Sequence, residues 1–104
     1  MAIVGLTLDG KKIVVTEVTS AITYNSTTGF VVTVPEVEKV HAVLYASIDG
    51  GYKVNTYSIS GNTVSLFLHY YNYEQTTPAD GPSIDIPNGT NIGTRKVTLV
   101  TLGV

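Results

Sequence analysis

Two histidines, His41 and His69, are the first residues of this chain that could do chemistry. Each falls in a run that alternates like a strand, so a fold could bring them together. A zinc site would still need a third ligand, and the sequence holds no cysteine. The nearest carboxylates are Glu36 and Glu38 before the first run and Glu74 beyond a run of tyrosines after the second. Two strand histidines on a half-exposed face explain the pattern without a metal. A serine nucleophile would call for a Gly-x-Ser-x-Gly elbow, and a phosphate site for a glycine-rich loop; neither occurs. Glu74, Asp80 and Asp85 lie in a stretch rich in proline and glycine. Such a stretch gives no fixed carboxylate separation for glycoside chemistry. Asp80-Gly81 and Asp85 also lack the oxygen ladder of a calcium loop. The expectation is no catalytic residue, no metal, no cofactor and no enzyme.

The aromatic residues carry more content. In the run 63–71, Val64, Leu66, Leu68 and Tyr70 share one face of a strand, and Phe67, His69 and Tyr71 the other. In 39–48, Val40, Ala42, Leu44, Ala46 and Ile48 fall on one face, and Lys39, His41, Val43, Tyr45 and Ser47 on the other. Leu44 and Leu66 are thereby expected in the core. A sheet face bearing Tyr45, Phe67, His69 and Tyr71 would be amphipathic, and rings with a polar tip gather where surfaces meet partners. A subunit interface, a sugar-stacking platform and plain packing under the segment 72–94 all stay open for it.

The elements that must position these residues are strands. Valine and threonine dominate, with seven tyrosines, and these residues favour extended chain. No stretch of eleven or more residues shows a helical period; Pro35–Val40 is at most a turn. Residues 3–8 and 12–18 alternate around Asp9-Gly10, a hairpin signal. Phe30–Val34 reads as a strand ended by Pro35. The runs 39–48, 52–59 and 63–71, joined by Asp49-Gly50-Gly51 and Ser60-Gly61-Asn62, read as a three-stranded meander. Gly61 and Asn62 are expected at positive φ in a type I′ turn. Residues 72–94 hold three of the four prolines and read as a long loop, with Ser83–Ile86 a possible short edge strand. The last strand, 95–103, is apolar on both faces and is expected in the middle of a sheet. Six to eight short strands in 104 residues make one all-β domain over 1–104, an antiparallel two-sheet sandwich, of which the jelly-roll is one kind.

Composition narrows the function. Charged residues are 13% of the chain, about half the usual ~25%, so the surface is built from Thr, Ser, Asn, Gly and Tyr. Such a surface protects poorly against association and suits a chain that lives against other chains. Net charge is −2, with no cationic stripe for phosphates, so no nucleic-acid partner is expected. No apolar run approaches the ~20 residues of a membrane span. The first residues lack a cationic segment followed by a long apolar run, so no signal peptide is expected. Asn25-Ser26-Thr27 and Asn88-Gly89-Thr90 match the glycosylation sequon and are expected as plain turns.

Residues 30–104 resemble small structural proteins of tailed-virus particles. The residues that carry the likeness are Val40–Tyr45, Gly51-Tyr52, Tyr57–Val64, Ile86–Thr90 and the closing Val97–Gly103. The chain is also similar to the H-type lectin-like sandwich, which forms trimers and occurs in phage fibres. The resemblance implies a capsid decoration or tail protein, assembled in the host cytoplasm into the virion. Its partners would be copies of itself, as a trimer, and other virion proteins, with a glycan possible. A carbohydrate-binding module is the alternative that the lectin likeness implies. Nothing in the chain matches lectin sugar-binding residues one by one, and it has no tryptophan.

Overall fold

The computed structural model describes residues 2–6, 10–70 and 84–104. Its elements are all strands: β1 Ala2–Leu6, β2 Lys12–Thr23, β3 Phe30–Thr33, β4 Val40–Ile48, β5 Tyr52–Ser60, β6 Thr63–Tyr70, β7 Ile84–Asp85 and β8 Asn91–Gly103. They form the expected antiparallel two-sheet sandwich. The first sheet has the order β1-β2-β8-β4. In the second, β6 lies between β5 on one side and β3 followed by β7 on the other. The long β8 is a central strand, as its two apolar faces predict, and the β1–β2 hairpin and the short β7 are both present. Residues 72–83 of the expected loop 72–94 lie outside the described residues; in the remainder Ile84–Asp85 form β7 and β8 begins at Asn91.

The meander is not observed. Of its three strands only β5 and β6 form a hairpin; β4 pairs with β8 in the first sheet. The turn after β4 does reverse the chain, with Gly50 and Gly51 at φ 77° and 85°, but it carries the chain across to the other sheet. Arg95 braces this end: its Nε donates to the Ile92 carbonyl at 2.9 Å and its guanidinium lies 5.8 Å from the centre of the Tyr52 ring. The β5–β6 turn is two residues long, with Ser60 opposite Thr63. Gly61 has φ 57°, whereas no non-glycine residue among those described has positive φ. Asn62 is therefore not left-handed. These are the signs of a type II′ turn, not I′.

The faces of β6 fall as the alternation predicts. Val64, Leu66 and Leu68 are fully buried, and Tyr70 packs against the core. The faces of β4 do not. Its register with β8 shifts between Val40 and Ala42 and again between Val43 and Tyr45. Each shift places one extra residue in β4, His41 and then Leu44, and each extra residue flips the parity of the residues after it. Val40, Val43, Ala46 and Ile48 therefore face the core. Leu44, expected in the core, is 53% exposed. The core itself joins Val14, Val97 and Leu99 of the first sheet to Val32, Val64, Leu66 and Leu68 of the second, with Val34, Val37 and Ile86 closing it from the connections.

Candidate functional site

Of the four residues expected on one aromatic face, the three that are described do not lie together. Tyr71 lies outside the described residues. Tyr45 stands opposite Val100 of β8, on the first sheet; Phe67 and His69 are on β6, in the second. The second bulge of β4 puts Tyr45 on the outer face, 56% exposed, while Phe67 and His69 alternate with the buried Leu66 and Leu68 and so face outward on the other side of the sandwich. His41 and His69 likewise belong to different sheets and do not converge. Among the described residues no group of three or more His, Asp or Glu could hold a metal ion. Glu74 and Asp80 fall outside those residues.

Two surfaces remain with enough organisation to bind something. The first is the outer face of the first sheet. The register places Ile13, Leu102 and Ala42 in one row across β2, β8 and β4, and Val15, Val100 and Tyr45 in the next. All are at least partly exposed. The bulged Leu44 stands beside them, and with Tyr45, Val54 and Tyr57 it lines an open groove of about 220 Å³. Beyond these rows the face turns polar, through Glu17, Thr98 and Ser47, and ends in an exposed ion pair between Lys96 Nζ and Glu17 Oε2 at 3.7 Å. The sequence contained the signal for this face: the apolar residues of both parities in 13–15 and 97–102. That signal equally fits a strand covered on both sides, which is how a central strand usually reads.

The second surface lies over β6, where β3 stops and β7 has not begun. β3 pairs with residues up to Leu66 and β7 with residues from His69. In the gap between them, the Leu68 N–H donates to Tyr24 Oη at 3.1 Å. Tyr24 is itself fixed by its backbone, which donates to Thr90 and accepts from Gly89. The Asn25 side-chain oxygen accepts from the N–H groups of Thr27 and Thr28 at 2.9 and 3.0 Å, and the Asn88 oxygen accepts from the Ser26 N–H at 3.0 Å. Both sequon asparagines thus shape turns. A half-open pocket of about 310 Å³ sits here, lined by Ser26, Asn55, Thr56, Phe67, His69 and Asp85 above Tyr24 and Ile86. His69 Nε2 meets Asp85 Oδ1 at 2.5 Å. In the sequence Asp85 reads as a carboxylate of the long loop or of a short edge strand with no partner assigned; the two-residue pairing of β7 with β6 brings it to His69. Compared with protein-family models, with curated proteins and with solved structures, the chain matches none of them.

Proposed function

We propose that this chain is a structural component of a virus particle, a capsid decoration or tail protein, that works by self-assembly and docking. The observation that carries this reading is the outer face of the first sheet. Ile13, Val15, Val100 and Leu102 occupy neighbouring strands on the side away from the core, with Tyr45 and Leu44 more than half exposed at the margin. An apolar centre with a polar rim is the anatomy of a protein interface. The occupant is another copy of the chain, whose own apolar surface can cover these rows; in a trimer each copy's rows meet a different patch of the next copy, since face against the same face closes as a dimer. Low charge content, 13%, removes the repulsion that keeps ordinary monomers apart. The virion setting, and the trimer as the number of copies, rest on the resemblance of residues 30–104 to tailed-virus structural proteins.

Light scattering tests the assembly. The wild type is expected as a homo-oligomer at tens of micromolar. Val100→Lys places a charge in the middle of the face without entering the core, and should give a folded monomer of ~11 kDa. A wild type that stays monomeric rules out self-assembly in isolation. The virion setting is tested by the genes around this one. Neighbours encoding a major capsid or portal protein are expected, and their consistent absence overturns the reading.

A further inference from the structure

We infer that the flank between β4 and β5 is the patch on which the next copy seats the outer face of its first sheet, so that copies join head to tail; this rests on the reading of that face as the assembly surface and names what it docks against. β4 and β5 are end strands of the two sheets and lie on the same side of the sandwich. An open channel runs between them. One part, of about 270 Å³, lies between Ile48 of β4 and Tyr52 of β5; the groove of about 220 Å³ beside Leu44 and Tyr57 continues it. The two parts share Tyr45, Ala46 and Val54 as walls. Among the described residues, Leu44, Tyr45 and Tyr57 are three of the five large hydrophobic side chains left 45% or more exposed. Lys53 is the single charged side chain on this lining.

The occupant is a second copy on three grounds. The channel and the outer face are continuous: Tyr45 stands opposite Val100 at the end of one apolar row and is also a wall of the channel. Because both patches lie at one corner of the sandwich, the same rotation repeated about an axis beside β4 keeps every copy in contact with that axis, the arrangement that closes as a ring. The chemistry matches as well. The rows offer uncharged aliphatic side chains, Val15, Val100 and Leu102, and the channel offers aromatic and aliphatic walls for them to fill. Rows docked on rows would leave Tyr57 and the channel uncovered. Finally, the backbone excludes an extended peptide. The ladders break at His41 and Leu44 on β4 and at Asn55 on β5, so neither wall can pair with a continuous strand. What seats here is a set of side chains from a preformed surface.

The test is a complementation between two variants of the full chain, with mass read by light scattering over a concentration series. Val100→Lys spoils the face and leaves the channel intact. Tyr57→Lys, on β5 in the second sheet and 48% exposed, spoils the channel and leaves the face intact. Each alone should keep the wild-type circular dichroism and stay at the 11.1 kDa of one chain. Mixed in equal amounts, one intact face meets one intact channel, and the mass should rise with concentration toward two chains and stop there, because the pair cannot close. Both introduced charges are positive, so they do not attract each other. A Tyr57→Lys variant that assembles as the wild type does, while Val100→Lys does not, overturns the channel as the receiving patch and leaves the outer face as the assembly surface. A mixture that stays at one chain throughout also overturns it. A monomeric wild type removes self-assembly and this contact together. If Tyr57→Lys fails to fold, Asn55→Lys, at the exposed bulge on the channel wall, supplies the second arm.

Discussion

Leu44 and Leu66 occupy equivalent places in two alternating runs, yet their truncations should differ several-fold in cost. Leu66 has no exposed surface, lies between Val64 and Leu68 on the inner face of β6 and stands opposite Phe30 and Tyr57 on the flanking strands. Removing three buried carbons at ~0.8 kcal/mol each gives about 2.4 kcal/mol. A residual cavity of roughly 50 Å³ at ~24 cal/mol per Å³ adds about 1.2 kcal/mol. Leu66→Ala is therefore expected to cost about 3.5 kcal/mol. Leu44 is 53% exposed at a bulge, so half of the transfer term is absent and no closed cavity forms. Leu44→Ala should cost about 1 kcal/mol or less. With a urea m-value of about 1.2 kcal/mol per M, the midpoint should fall by about 3 M for Leu66→Ala and under 1 M for Leu44→Ala. Both variants must be compared at one protein concentration, since association adds concentration-dependent stability. Equal losses for the two, or a near-neutral Leu66→Ala, would refute the assignment of the β4 bulges and the faces derived from them.

Three further outcomes rest on single contacts. Tyr24→Phe removes the acceptor for the Leu68 N–H and should cost about 1–3 kcal/mol in the same denaturation assay, because a buried donor is left unpaired. Gly29→Ala combines a φ of 70° with a new Cβ only 2.7 Å from the Leu66 carbonyl oxygen; thermal unfolding should show a loss above the ~1–2 kcal/mol of the left-handed conformation alone. Thr101 is fully buried between Val14 and Val43, and its hydroxyl has no hydrogen-bond partner among the described residues. Thr101→Val, which keeps the shape and removes the unpaired hydroxyl, should raise stability by about 1 kcal/mol and Tm by about 4–8 °C.

The pattern of residues was legible where a strand is regular. Thr63–Tyr70 pairs with β5 and β3 with no break in its own alternation, so period two alone sorts Val64, Leu66 and Leu68 from Phe67 and His69. It misled where the strand is not regular. Nothing in His41 or Leu44 marks either as an extra residue; a bulge is fixed by how β8 pairs alongside, which is a long-range fact. The same holds for the turn at Gly50-Gly51. Its residues predict a reversal of direction, and a reversal occurs, but turn chemistry does not choose the next strand's hydrogen-bond partner. The aromatic set is divided for that reason, with Tyr45 in one sheet and Phe67 and His69 in the other. The pocket was less legible still, because its polar groups come from β5, β6, β7 and the β2–β3 connection, and only the fold gathers them.

The bulges of β4 and β5 have a consequence for how copies of the chain can join. These two strands end their sheets on the same flank, where a bare row of N–H and C=O groups would accept a strand from any neighbouring molecule and propagate as a fibre. Both are broken in register, β4 at His41 and Leu44, β5 at Asn55. An incoming strand cannot keep step past either break. Growth through this flank is blocked at the backbone, and association there is left to side-chain contacts. On this flank, copies of a weakly charged chain can crowd together without adding strand to strand.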